Sequence, residues 1–256
     1  MPSVVAYHRP IDLDDAANLL KQPRHRALGG GTVVVPEARL ITEDGVSVVD
    51  LQDLGLNHIS VDSAASELTI GSGVTLGGLI ENPNTPQLLC ELAGRELPST
   101  MRFQATIGGT VAQGNADSLL LAGLLVHDAM VHCHGEDAVS LSQFLRTGAG
   151  TRLVTSITID LGVQNGAVAS TGRTPADVPI VAAVAAIAGD ETVRLALTGV
   201  ASTPVLVAPA NHADPRSALN PPSDFRGSSQ YRLHLADVLA KRVLAQLDPT
   251  TQGANQ

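Results

Sequence analysis

The stretch QATIGGTVAQGNADSLLLAGLL, Gln104–Leu125, enters like a buried strand and then sheds its side chains. Ile107 is followed by Gly108 and Gly109, small polar residues come next, and Asp117 precedes an apolar run that reads as a helix over about Asp117–Leu125. Glycine permits positive φ and removes the Cβ that would keep another group away from the main chain. ALGGGTVVVP, Ala27–Pro36, has the same grammar: glycines beside a threonine after an apolar approach. Successive N–H groups in such turns form concavities suited to phosphate. Thr32, Thr106 and Thr110 would add hydroxyl donors. Two such turns can hold one pyrophosphate between them without a cationic side chain; the alternative is two plain hairpin turns.

Outward from these turns, IDLDDAANLLKQ (Ile11–Gln22) has helical spacing, with Asp14 and Asp15 near the favourable end of the dipole. VSVVDL and ELTIGSG carry the β-branched content of strands, and Asp62–Ser66 is the turn between Ile59–Val61 and Leu68–Ile70. TPQLLCELAGREL is a helix with Pro86 near its first turn, while AMVHCHG and LVTSITIDL are strands. Small polar residues over 162–176 suggest a boundary or mobile connection. VPIVAAVAAIAGDETVRLALTGVASTP reads as two strands turning at Gly189-Asp190, and Ser229–Leu247 as a helix, with a loose tail after it. Strands and helices mix without a regular βαβ rhythm, so the class is α+β.

Of the 256 residues, 44% are hydrophobic and 16% charged, which allows a large core; the formal net charge of −9 argues against nucleic acid or an anionic membrane as partner. No apolar run reaches the length of a membrane span. MPSVVAYHRPIDLDD lacks a basic segment followed by an apolar one, so the expected location is the cytoplasm. With no Trp, three Phe and two Tyr, a large aromatic ligand would be held mainly by backbone and aliphatic walls. Cys90 and Cys133 form no CxxC, which excludes a disulfide framework or a cysteine-bound iron–sulfur cluster within the chain.

Several motifs are weighed and set aside. Gly71-Ser72-Gly73 opens like a dinucleotide fingerprint, but Leu76 stands where helix–strand packing demands Gly or Ala, so these read as turn glycines. His127, His132, Cys133 and His134 invite zinc, yet no second cluster completes about four ligands, and no metal is expected. There is no G-x-S-x-G elbow and no P-loop. No catalytic residue is named.

Six segments in order resemble the FAD-binding (medium) subunits of the molybdenum hydroxylases, the xanthine dehydrogenase and carbon monoxide dehydrogenase family. YHRPIDLDDAANLL is similar to the family's opening helix, LGGGTVVVP to its first flavin loop, and VVDLQDLGLNHISVD with LTIGSGVTLGGL to its D-L…IG…VT segment. LPSTMRFQATIGGTVA resembles its R-N…TIGG loop, LVTSITI the strand closing the flavin domain, and SDFRGSSQYRLHLADVLAKRVL its C-terminal R-G-S…Y-R signature.

The resemblance implies a two-lobed FAD-binding domain of PCMH type followed by a smaller α+β C-terminal domain. Residues 1–53 would be a small α/β lobe, 54–162 an antiparallel-sheet lobe, 167–248 the C-terminal domain and 249–256 a tail. FAD would lie between the lobes against Gly29, Gly30, Gly31, Thr32, Val33 and Val34 of the first loop and Thr106, Ile107, Gly108, Gly109 and Thr110 of the second. Asp117 would hold the adenosine or ribityl side, and Leu153 or Val154 the adenine. The implied function is electron transfer within a multi-subunit molybdenum hydroxylase. FAD would pass electrons from [2Fe–2S] clusters in a small partner chain, fed by molybdopterin in a large one, to NAD⁺, a quinone or oxygen. A dimer of heterotrimers is the expected assembly. Ser170 stands where many relatives have a lysine, Thr174 where they have an arginine, Val33 where Asp, Ser or Glu is common, and Thr110 where Asn is. A lost lysine removes a positive charge that would tune reduced flavin, which leaves acceptor and potential open. These departures motivate the alternative, a degenerate scaffold subunit of the same complex that no longer binds flavin.

Overall fold

A computed structural model describes residues 4–40, 45–172 and 177–247. The chain begins with a parallel sheet built from β1 (Val4–His8), β2 (His25–Leu28) and β3 (Val46–Asp50), with β3 in the centre. All five residues of β3 are buried. The first crossover is α1 (Leu13–Leu20): the Asp12 side chain accepts the Asp15 N–H at 2.8 Å, and Ala16 and Leu20 face the sheet. The second is α2 (Val34–Leu40), which starts directly after the first glycine loop.

The next unit is a five-stranded antiparallel sheet in the order β4 (Ile59–Asp62), β5 (Glu67–Gly71), β8 (Val154–Asp160), β6 (Met130–Cys133) and β7 (Val139–Ser140). Between β5 and β6 run α3 (Leu76–Glu81), α4 (Gln87–Glu96), α5 (Ser99–Arg102), α6 (Ile107–Gln113) and α7 (Leu119–Val126); α8 (Leu141–Thr147) precedes β8. The strand entry expected ahead of Gly108 reduces to one antiparallel bridge between Thr75 and Thr106, and α6 begins at Ile107. Thr106 caps it by accepting the Gly109 N–H, Ile107 is wholly buried, and Gly114 ends it at φ 61°. A cap and one buried anchor outweigh the poor helix propensity of paired glycines.

The C-terminal sheet is antiparallel, in the order β12 (Val205–Val207), β11 (Val193–Thr198), β10 (Ala182–Ile187) and β9 (Asn165–Ser170), and is backed by α9 (Ser229–Leu247). The connection expected over 162–176 therefore contains a strand, β9, whose small residues pair along all of β10. Residues 173–176, with Thr174, and the tail over 249–256 lie outside the described residues. β10 is covered on both faces, which explains its unbroken apolar run. Ala182, Val184 and Ala186 join the core around α7, while Ala183 and Ala185 join the core under α9. Every residue of α7 is buried, because α4 covers one side and β10 and β11 the other.

Arg232 in α9 is 2% exposed and ties this sheet together. Its Nη1 donates to the carbonyls of Ile180 (3.0 Å) and Gly199 (2.8 Å), and its Nη2 to Asp224 (2.7 Å). Arg232→Met leaves two buried carbonyls without a donor, at about 1–3 kcal/mol each. We expect a loss of about 2–4 kcal/mol in urea unfolding on this basis.

Candidate functional site

The first glycine loop, the start of α6 and the segment leading into β10 (Val178 and Pro179) line a cavity of about 820 Å³. That lies within the roughly 300–1,000 Å³ range of small-molecule sites. Gly29, Gly30, Gly31, Thr32, Val33, Val34, Thr106, Gly108, Gly109, Thr110, Asp117, Leu153 and Val154 all line it. Ile107 does not: its side chain is in the core. Ser72 and Gly73 line it too, so the segment read only as turn glycines forms part of the wall. Phe103 supplies an aromatic face, its ring lying over Gly77 and 64% exposed.

The two glycine loops differ in what their amides do. In the second, Ile107 N–H donates to Val74 O and Gly108 N–H to Ser72 O, both at 2.9 Å, Gly109 N–H to Thr106 Oγ1 at 3.1 Å, and Thr110 N–H to Thr106 O at 3.0 Å. The Thr110 hydroxyl also donates to the Thr106 carbonyl at 3.2 Å. Four successive amides are thus engaged within the protein. In the first loop, no hydrogen bond among the described residues is donated by the N–H of Gly30, Gly31, Thr32 or Val33. Gly31 has φ +70°, a left-handed step that turns neighbouring amides toward one side. The expected pair of phosphate-binding turns is one open cradle and one closed support.

The loops touch through their backbones. A Cβ on Gly30 would fall inside the Gln104 carbonyl, and one on Gly108 would lie 2.5 Å from Ser72 Cβ. Gly109 meets only Thr106 Oγ1, at 3.1 Å.

Charged groups cluster at the end bounded by Val178 and Pro179. Asp117 is ion-paired with Arg226, whose Nη2 also donates to the carbonyls of Val178 (2.9 Å) and Pro179 (2.7 Å). Glu96 accepts the Leu120 N–H at 2.9 Å in the first turn of α7. Burial pushes its carboxyl above the ordinary range, against the opposing hydrogen bonds from the α7 start. Arg95 donates to Ser170 Oγ at 2.7 Å. None of Arg226, Glu96 and Arg95 was singled out from sequence. Arg226 lies in the R-G-S segment, while nothing in AGREL marks Arg95 or Glu96.

The histidines scatter. His127 is fully buried, donates from Nδ1 to Gly123 O at 2.8 Å, and is held neutral because burial lowers its pKa. His132 shares a hydrogen bond with Thr158 at 2.9 Å, and His134 one with Asp14 at 2.7 Å. Among the described residues no three His, Cys, Asp or Glu converge.

Comparison with known proteins gives this architecture its relatives. The family described as FAD binding domain in molybdopterin dehydrogenase matches residues 3–159. The chain belongs to that family. It is an oxidoreductase subunit of that family. The putative xanthine dehydrogenase FAD-binding subunit XdhB of Escherichia coli (strain K12) is 27% identical over 279 residues, covering 94% of this chain and 95% of its own. The carbon monoxide dehydrogenase medium chain of Afipia carboxidovorans is 26% identical over 282 residues, covering 95% and 96%. A solved carbon monoxide dehydrogenase from Hydrogenophaga pseudoflava shares the fold at TM-score 0.85 and 22% identity, covering 95% and 97%.

The cavity fits a flavin dinucleotide. Amides at Gly30–Val33 with no acceptor among the described residues suit a diphosphate, and Leu153 and Val154 offer aliphatic surface to a ring. No helix among the described residues is long and apolar enough to cross a membrane.

Two stability measurements check this geometry. Gly30→Ala should cost about 1–3 kcal/mol through overpacking, whereas Gly109→Ala should stay within about 1 kcal/mol of the parent. Glu96 binds its proton more readily in the folded chain than in the unfolded one. Stability is therefore expected to fall as pH rises from the ordinary carboxylate range through the elevated folded value. Glu96→Gln should remove that component of a pH-resolved unfolding series.

Proposed function

We propose that this chain carries FAD in the cavity and acts as the electron-transfer subunit of a multi-subunit molybdenum hydroxylase. The observation that carries the reading is the row of amides at Gly30–Val33, without acceptors among the described residues, on the wall of a dinucleotide-sized cavity in a chain of this family. FAD bound there would supply the redox chemistry. The protein's own work is placement. The first loop's amides hold the diphosphate, with Thr32 beside them. Gly108 and Gly109 give α6 a bare face, and Leu153 and Val154 flank the adenine. Asp117, fixed by Arg226, would hold the adenosine or ribityl side.

Electrons would arrive from [2Fe–2S] clusters in a small partner chain, themselves reduced from molybdopterin in a large one, and leave to NAD⁺, a quinone or oxygen. Cys90 and Cys133 are free and separate, which supports placing the clusters outside this chain. A dimer of heterotrimers in the cytoplasm is the proposed assembly, with lobe boundaries near residues 53 and 162–167.

The test is to co-express the chain with its molybdenum and iron–sulfur partners and measure flavin released on denaturation. One FAD per chain is expected, retained by the chain alone at micromolar concentration. An assembled complex with molybdenum and iron but no flavin would overturn the proposal in favour of the scaffold subunit.

A further inference from the structure

We infer that Phe103 is the platform on which an aromatic ring of the cavity's ligand stacks, the ring being the isoalloxazine or the adenine of the dinucleotide. The inference rests on the proposed FAD site and deepens it.

The chain holds few aromatic side chains, with no Trp, three Phe and two Tyr. Phe144 is wholly buried, and Phe225, Tyr7 and Tyr231 lie off the cavity wall. Phe103 is the one Phe, Tyr or Trp among the described residues that lines the cavity. It follows the last residue of α5, which packs on α3. Its Cδ1 and Cε1 lie 2.8 and 3.0 Å from where a Cβ on Gly77 would be, so one side of the ring rests on bare α3 backbone. That support is pinned in place. Thr75 accepts the Gly78 N–H at 3.0 Å, and the Leu76 N–H donates to the Ala105 carbonyl at 2.9 Å. With that side backed, the residue is still 64% exposed. A large apolar ring left open on a cavity wall gains free energy when a ligand covers it.

The chemistry of this surface selects a ring rather than a phosphate. The face of a phenyl ring is its negative side, which repels an anion and accepts a flat ring offset above it. The diphosphate has its own place at the amides of Gly30–Val33, which have no acceptor among the described residues. Gly30 rests on the carbonyl of Gln104, the residue next in the chain to Phe103. In a dinucleotide each ring is joined to the diphosphate through one ribose or one ribityl chain. A diphosphate on the first loop therefore has a ring within one sugar's length of the seam that Phe103 borders. Both rings of FAD are flat and aromatic, so both meet the requirement that Phe103 sets, and fragments of FAD tell them apart.

The measurement is FAD binding to the full chain freed of flavin. Phe103→Leu keeps an apolar cover over Gly77 but removes the aromatic face, and should raise the Kd for FAD about tenfold. Phe103→Tyr keeps the face and should stay within about threefold of the parent. Because the chain has no Trp, Phe103→Trp places a single indole at this point. Stacked on oxidised flavin, the indole gives a long-wavelength charge-transfer absorption with FAD and with FMN. Stacked on adenine, it gives no such band, and ADP quenches its emission. Either signal supports the inference and names the ring. Absence of both in FAD-loaded Phe103→Trp overturns it. An unchanged Kd in Phe103→Leu, or equal losses in the Leu and Tyr variants, overturns it and leaves the FAD site standing. Should Phe103→Trp fail to retain FAD, the contrast between Leu and Tyr decides. A parent chain that binds no FAD at micromolar concentration overturns the FAD site itself, and the inference with it.

Discussion

Main chain laid directly on main chain is the constraint on which the cavity depends. Gly30 rests on the carbonyl of Gln104, Gly108 on Ser72, and Gly71 on the carbonyl of Leu56. These contacts join the loop after β2, the start of α6 and the end of β5 at separations no side chain would permit. Much of the wall is therefore peptide rather than rotamer-bearing side chain. Its dipoles are fixed before any ligand arrives, and little side-chain entropy is lost on binding. The same closeness explains why substitution is sensitive at Gly30 and mild at Gly109, although both are glycines beside threonines.

Engaged amides make the open ones possible. The α6 start uses its N–H groups on Val74, Ser72 and Thr106, and that anchors it as a rigid support for the first loop. The first loop, supported through Gly30, keeps the N–H groups of Gly30–Val33 without acceptors among the described residues. A buried N–H without a partner is costly, so such a row is tolerated only where water or a ligand can accept from it. One loop bears the geometry, and the other is the proposed anion cradle.

Much of this was legible in the sequence, and what was not has a physical cause. The 3.6 spacing of Ile11–Gln22, the β-branched VSVVD and the apolar face of Ser229–Leu247 announced α1, β3 and α9, because each pattern is decided locally. The α6 helix was misread because glycine pairs signal turns; the Thr106 cap that overrules them is a single oxygen. The strand β9 was read as connection because its Gly, Ala and Ser become a strand only by pairing with β10. The glycine loops were visible as chemistry, whereas Asp117 and Leu153 entered only through the family resemblance. Arg95 and Glu96 were not visible, since each gains its role from a contact distant in sequence, with Ser170 and with the start of α7.

Electrostatics bear on how a chain of formal charge −9 would cradle the proposed diphosphate. Net charge acts over distances that salt screens, with a Debye length of about 8 Å at physiological ionic strength. Amide dipoles at contact act inside that length, where no screening ion fits. The remaining requirement is that nearby acids present little free charge to the cavity. Arg226 neutralises Asp117 while bonding the carbonyls of Val178 and Pro179. Burial raises the Glu96 pKa, and the α7 amides take its oxygen. Arg226 reaches Asp117 from the C-terminal region, and Arg95 reaches that region's sheet through Ser170. The C-terminal region thus completes the local charge balance of a cavity whose proposed anion cradle lies in the first forty residues. It holds that position because α7, apolar on every side, must be buried against both α4 and β10.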